Sequence, residues 1–331
     1  MSKIRVAING FGRIGRVTAR QIQKAEGIEL VAINDLADSA TLRHLFKYDS
    51  VHREFNGTVE ASGKNLVIND KVVYVYSERD PENLPWKDLD IDIVIESTGI
   101  FRTRDLAQKH INAGAKKVII SAPPKSDDVK SVVMGINDDI LDGSETIISN
   151  ASCTTNCAAP LVKIIDKICG IESGYITTVH SYTGDQKLHD APHKDLRRAR
   201  AAAESIVPTT TGAAKAITKI FPDLHGKLGG CGIRVPVPDG SLTDITCIVR
   251  QTVPVSEINK IFKKYAENQL KGVLSYITDP VVSTDIIGNE NSCIFDSKLT
   301  SVIGNMVKVV GWYDNEMGYS SRLVDLIKKV G

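Results

Sequence analysis

Paired cysteines are missing from this chain. Its six cysteines, Cys153, Cys157, Cys169, Cys231, Cys247 and Cys293, are scattered through 331 residues with no Cys-x-x-Cys. That scatter excludes a disulfide scaffold and a cysteine-built zinc site. Cys169, Cys231, Cys247 and Cys293 read as small buried hydrophobes. No run of about 18 or more apolar residues occurs, so no transmembrane helix is expected. An excess of one charge is absent too. Lys and Arg number 41 and Asp and Glu 40, and a net charge of +1 offers no footprint for nucleic acid or an acidic membrane. The opening Met-Ser-Lys-Ile-Arg-Val lacks the apolar segment and small-residue cleavage site of a signal peptide, so a cytoplasmic address is expected. There is no internal repeat and no low-complexity tract. What is present, 42% hydrophobic and 24% charged residues, is the composition of a folded protein. The length exceeds what one core organises, so two domains are expected.

The first half alternates β-rich runs with helical stretches: Ile4 to Ile8, a helix from about Arg13, Glu29 to Ile33, Ile91 to Ile95 and Val118 to Ser121. That order implies βαβ units around a mostly parallel sheet. Between 55 and 77 the pattern changes to strand alternation broken by Asn69-Asp70, as in an antiparallel excursion. After Asn150 a helix near Thr155 to Ile168 leads into long Thr- and Val-rich segments, Tyr175 to Val179 and Leu242 to Val253. These predict an α+β domain with a mostly antiparallel sheet. Met317 to Val330 carries Leu323, Val324, Ile327 and Val330 at helical spacing, an amphipathic helix that needs a surface to cover.

Gly10-Phe11-Gly12-Arg13-Ile14-Gly15 follows a strand and opens a helix, the context in which a Gly-x-Gly-x-x-Gly binds a dinucleotide. Gly10 permits the tight turn, Gly12 lets backbone approach a pyrophosphate, and Gly15 allows close helix–strand packing. The expected fold for this half is therefore Rossmann-type. Asp35, twenty residues beyond Gly15, ends the second strand where a carboxylate accepts from an adenosine ribose. With Leu36 beside it, no cation balances a 2′-phosphate, so NAD is preferred over NADP.

Ser149 to Cys157 reads Ser-Asn-Ala-Ser-Cys-Thr-Thr-Asn-Cys, where a strand gives way to a helix. Cys153 then falls near a helix N-terminus, a position that favours the thiolate and offers backbone N–H groups to an oxyanion. Pro160 is awkward for a regular helix, and Cys157, one turn on, is badly placed for a disulfide.

With these residues the chain resembles the phosphorylating, glycolytic type of the glyceraldehyde-3-phosphate dehydrogenase family. The resemblance covers nearly the whole chain, through Ile8 to Arg16, Ser149 to Cys157 and Gly311 to Ser320. It implies a Rossmann-type domain over 1–150 joined by a C-terminal helix over 316–331, a catalytic domain over 151–315, and a homotetramer. Its implied activity is NAD-dependent conversion of glyceraldehyde 3-phosphate and inorganic phosphate to 1,3-bisphosphoglycerate.

Residue by residue, it implies Cys153 as nucleophile and His180, of seven histidines, as base. Arg13 and Ile14 would lie at the pyrophosphate, Arg79 and Ser121 near the adenine, and Asn315 at the nicotinamide carboxamide. Thr183 and Arg234 would hold the substrate phosphate. Ser152, Thr154, Arg198, Thr211 and Gly212 would line the second anion site. One departure is Ala191-Pro192: NAD-specific relatives commonly carry Leu-Pro there and NADP-accepting ones Ala-Ser, so some NADP use is less excluded. The alternatives are an erythrose-4-phosphate dehydrogenase of the same superfamily and a nucleotide-binding protein that has lost catalysis.

Overall fold

The computed structural model describes residues 3–331; Met1 and Ser2, the first two residues of the chain opening read above, lie outside the described residues. By contact the chain divides into two units. The first contains the residues up to Met134 together with Asp138–Ala151 and Ser320–Gly331, and the second contains Gly135–Asn137 and Ser152–Tyr319.

The first unit runs β1 (Ile4–Asn9), α1 (Arg13–Lys24), β2 (Ile28–Asn34), α2 (Ser39–Lys47), β3 (Val59–Ser62), β4 (Asn65–Ile68) and β5 (Lys71–Tyr76). It continues through β6 (Ile93–Glu96), α3 (Arg104–Asn112), β7 (Lys117–Ile120), β8 (Lys130–Ser131) and β9 (Ile147–Ser149). One sheet of order β3-β4-β5-β2-β1-β6-β7-β9-β8 results. Its centre is parallel because each strand returns through a crossover, and Val6, Ala7, Ile8, Ile93, Val94 and Ile95 have no exposed surface. The excursion β3-β4-β5 is antiparallel, with Asn69 and Asp70 at φ of 48° and 63° in the tight turn between β4 and β5.

The second unit starts with α4 (Cys153–Cys169), two residues earlier than the spacing predicts. The reason is local: the Ser152 hydroxyl accepts from Thr155 N at 3.1 Å and caps the helix there. α4 continues through Pro160, with Leu161, Val162, Ile164 and Ile165 fully buried. There follow β10 (Ile171–Ser181), β11 (Val207–Thr209), α5 (Ala213–Ile220), β12 (Leu228–Val235), β13 (Ser241–Val249) and α6 (Val255–Glu267). Next come β14 (Leu274–Ile277), α7 (Ser283–Ile286), β15 (Cys293–Asp296), β16 (Ser301–Ile303) and β17 (Met306–Tyr313). The sheet order is β11-β12-β10-β13-β17-β15-β14, with β16 on β17. Only β10–β12 and β14–β15 pair in parallel. β13 shows why this sheet is two-faced: Ser241, Thr243, Ile245, Cys247 and Val249 are buried and the residues between them are half-buried. α4 packs on β13 and β17.

The last helix, α8 (Met317–Val330), enters the first unit from Ser320 onward. There Gln21 Nε2 donates to Ser321 Oγ at 3.1 Å, and Lys329 pairs with Asp138 at 3.2 Å. Leu323, Leu326 and Ile327 are fully buried. Each such side chain contributes about 1.5–3 kcal/mol by leaving water.

Candidate active site

In the first unit the glycines are needed for shape. Gly10 sits at φ 91°, and a Cβ there would meet Thr98 N at 2.7 Å. At Gly15 a Cβ would meet Gly10 O at 2.2 Å, so α1 can approach β1 only with glycine. Gly12 faces open space and caps α1 with no side chain, which leaves the positive end of the helix, at Arg13 and Ile14, open to an anion. The arrangement is a cradle that fits a pyrophosphate.

Asp35, just past β2, accepts from Phe11 N at 2.8 Å and from Ala37 N at 3.0 Å. The carboxylate thereby pins the glycine loop and keeps lone pairs for a ribose. Arg13 pairs with Asp49 at 2.6 Å. Burial pushes the Asp49 carboxyl up, but hydrogen bonds from His52 N and Arg13 outweigh that and hold it at about 2. Ser121 follows β7, its N–H donating to Glu96 O at 2.9 Å, and Arg79 is exposed beyond β5.

Beneath the cradle lies a buried polar network that sequence reasoning missed. The Trp86 indole donates to His110 Nδ1 at 3.0 Å, so Nδ1 is the acceptor and Nε2–H donates to Glu96 Oε2 at 3.1 Å. Asn9 Nδ2 donates to the same oxygen at 2.5 Å, and Thr98 N donates to Glu96 Oε1 at 2.8 Å. The nearby Asn9 Nδ2 and His110 Nε2, 3.4 Å apart, are both donors and do not bond each other. The network fixes Asn9 and Thr98, and Ser97 Oγ donates to Gly10 O at 2.6 Å. A fully partnered carboxylate therefore supports the loop that holds the phosphates.

In the second unit strand register assembles the other cluster. β10 and β12 pair in parallel with His180 opposite Arg234, and α4 sets Cys153 at its first turn. Cys153 Sγ lies 3.5 Å from His180 Nε2. His180 Nδ1 lies 2.7 Å from Ser181 O and 2.6 Å from Arg234 Nη1. Tyr313 meets the imidazole edge-on at 5.9 Å, and its hydroxyl bonds Thr154 Oγ1 at 3.0 Å and Thr178 Oγ1 at 2.8 Å.

The helix-terminus argument predicts a lowered thiol pKa, and the structure reverses it. Burial pushes the Cys153 thiol up to about 11, against the opposing pull of Arg234 and of the Thr154 N–H on the sulfur. Burial first, then Arg234, brings His180 down to about 3. The resting pair is a neutral thiol and a neutral imidazole, poised for proton transfer once substrate arrives.

The anion-site residues fall into two touching groups. Thr183 donates to Asp185, which also pairs with Arg198 Nη1 at 2.5 Å. Arg198 Nε in turn donates to Thr209 Oγ1 at 3.0 Å. Next to it, Thr211 Oγ1 accepts from Ala213 N at 3.2 Å, and Gly212 caps α5. Ser152 and Thr154 flank Cys153, although the Thr154 hydroxyl is shared with Tyr313. Asp185 was not singled out from sequence; its place two residues after Thr183 was the available signal.

Asn315 Oδ1 accepts from Ser181 Oγ at 2.8 Å and Ser241 Oγ at 2.7 Å. The amide is thereby oriented with Nδ2–H left to donate, as a carboxamide oxygen requires. Beside it, Asp239 is buried and hydrogen-bonded to Asp314. Burial, then Asp314 and Glu316, pushes its carboxyl up to about 9. In the unfolded chain this group ionises near the ordinary value of about 3.9. Wild type therefore loses stability as pH climbs between those two values. Asp239→Asn removes the titration, so its melting temperature relative to wild type should rise from about pH 5 to about pH 8. A pH-independent difference would show that Asp239 is already ionised in the fold.

The comparisons agree with this geometry. Residues 4–104 match the model for the glyceraldehyde 3-phosphate dehydrogenase NAD binding domain, and 152–315 the one for its C-terminal domain. Glyceraldehyde-3-phosphate dehydrogenase of Geobacillus stearothermophilus is 55% identical, over 98% of this chain and 97% of its own. Glyceraldehyde-3-phosphate dehydrogenase 2 of Streptomyces avermitilis and the Mycobacterium avium enzyme are each 53% identical, over 99% of this chain and 98% of theirs. With one model on each half and full-length relatives above half identity, this chain belongs to the glyceraldehyde-3-phosphate dehydrogenase family.

Proposed function

We propose that this protein oxidises glyceraldehyde 3-phosphate with NAD and inorganic phosphate to 1,3-bisphosphoglycerate. The observation that carries the reading is the 3.5 Å approach of Cys153 Sγ to His180 Nε2 beside Arg234. NAD fits the chain through Gly10, Gly12, Arg13, Ile14 and Asp35, with Arg79, Ser121 and Asn315 completing its contacts, and supplies the hydride acceptor when bound.

The thiol gives its proton to His180 as Sγ bonds the aldehyde carbon, and the oxyanion so formed is met by the Cys153 N–H. Protonation of that oxygen gives a hemithioacetal. Its oxidation removes a hydride from carbon and a proton from the hydroxyl, the latter to His180, and leaves a thioester. Phosphate oxygen then attacks the thioester carbonyl, the carbon–sulfur bond breaks, and the acyl phosphate leaves. Thr183 and Arg234 hold the substrate phosphate. Ser152, Thr154, Arg198, Thr211 and Gly212 hold the attacking one, since guanidinium and hydroxyl donors suit both anions.

NADH formation from glyceraldehyde 3-phosphate, with and without inorganic phosphate, tests this directly. Absence of phosphate dependence would sink the acyl-phosphate product. Faster turnover of erythrose 4-phosphate would move the substrate assignment. A further expected result concerns Asp35→Gly combined with Leu36→Ser, which should raise the NADP to NAD ratio of kcat/KM by on the order of tenfold, as a carboxylate facing phosphate is removed. An unchanged ratio would show that Asp35 does not face the ribose.

A homotetramer belongs to the same proposal. Leu188, Leu196 and Ile206 are 77%, 81% and 69% exposed in one segment of the single chain, an apolar surface that supports burial against other copies. Sedimentation mass reads this directly. Among the described residues no helix is long and apolar enough to cross a membrane, and the cytoplasm is the proposed location.

A further inference from the structure

His180 Nδ1 has two neighbours that make opposite demands. A guanidinium nitrogen only donates, and Arg234 Nη1 lies 2.6 Å away. A carbonyl oxygen only accepts, and Ser181 O lies 2.7 Å away. Nδ1 satisfies the first when bare and the second when protonated. Arg234 Nη1 also donates to Ser181 O at 3.0 Å, so with Arg234 in place the carbonyl needs no proton from the imidazole. A bare Nδ1 in a neutral ring puts the proton on Nε2, the atom facing Cys153 Sγ, and an N–H cannot take a proton from a thiol.

We propose that Arg234 is a positioning residue that latches His180 in the tautomer unable to act as base until an anion draws the guanidinium away. Once it leaves, Ser181 O loses a donor, Nδ1–H replaces it, and the Nε2 lone pair faces the sulfur. The ring gives its Nε2 proton to water and takes one at Nδ1 from water, with no net change. The inference rests on the function proposed above in taking the substrate phosphate as that anion. It adds that the base is unmasked only when a phosphorylated aldehyde is bound, so that water or an unphosphorylated aldehyde meets an idle pair.

The groups facing this pair are few. Cys153 comes from α4, Arg234 from β12 and Tyr313 from β17, with Asp185 and Arg198 from the segment after β10. None but Arg234 contacts Nδ1 with a donor.

Two effects of removing Arg234 have opposite signs, which makes the latch testable. As a nearby cation Arg234 lowers the Cys153 thiol pKa, so by charge alone Arg234→Leu raises the pH midpoint of alkylation. By the latch, Arg234→Leu frees Nε2 to accept the thiol proton, and the midpoint falls, by on the order of one pH unit. Iodoacetamide modification of Cys153, followed by peptide mass spectrometry from about pH 5 to about pH 10 on the full chain, reads the sign. A midpoint that rises or stays overturns the latch.

Nitrogen NMR of histidine-labelled protein, with His180 assigned by the loss of its signals in His180→Asn, gives a reading that does not need the Arg234 variant to fold. The proton should sit on Nε2 in the wild type alone and on Nδ1 after addition of glycerol 3-phosphate, which carries the phosphate but no carbonyl. Nδ1–H in the wild type alone, or no change with glycerol 3-phosphate, overturns the proposal while leaving the NADH assay untouched. Failure of that assay alongside the tautomer shift would instead sink the function and spare the latch.

Discussion

Cys153→Ala should abolish NADH formation from glyceraldehyde 3-phosphate, lowering kcat by on the order of 10⁴-fold or more, while NAD binding persists. The large effect follows from there being no second route. Cys157 is buried and its sulfur faces Gly311 O at 3.6 Å, so it cannot stand in for the missing nucleophile. The cradle of Gly10, Gly12 and Asp35 lies in the other unit, and none of its contacts involves position 153. Stopped-flow absorbance and calorimetric titration with NAD separate the two functions. Turnover within tenfold of wild type would end the covalent mechanism.

His180→Asn should lower kcat by about 10²–10⁴-fold, with a smaller effect on KM for the aldehyde. The structure sets both the size and the pH dependence. Because burial and Arg234 hold the imidazole at about 3 and burial holds the thiol at about 11, neither group ionises by itself near neutrality. Proton transfer between them is what generates the nucleophile. Without the ring, thiolate must form by loss of the proton to solvent. The rate of the variant should then climb about tenfold per pH unit through neutrality, whereas wild type stays flat. A variant with the wild-type pH profile would mean that another group removes the proton.

Much of this was legible in the sequence, for reasons of locality. The glycine spacing and the capping of short helices are determined within a few residues, so α5 and α8 span Ala213–Ile220 and Met317–Val330, as their periodicity predicts. The α/β and α+β characters of the two halves follow from strand and helix alternation in the same way. Motif context also singled out Cys153, whereas His180 was singled out only through the resemblance.

What escaped reading is what register brings together. Tyr313 reaches Thr154 and Thr178 because β17 pairs with β13 and β13 with β10, a relation between segments over 100 residues apart. The Trp86, His110 and Glu96 network is hidden for the same cause, each residue being unremarkable in its own window. The thiol pKa was misread because a helix terminus is visible in sequence and burial is not. The field of one helix end is worth up to about 2 kcal/mol in favourable geometry, and desolvation of a sulfur surrounded by protein outweighs it.

The return of α8 to the first unit has a bearing on biosynthesis. A ribosome delivers the segments of that unit first and last, with the whole second unit made in between. Until the final dozen residues emerge, the surface that Leu323, Leu326 and Ile327 cover stays open to water and to neighbouring nascent chains. Chains stalled near their end would thus carry a finished second unit beside an uncovered first one. They should be the species that chaperones hold longest.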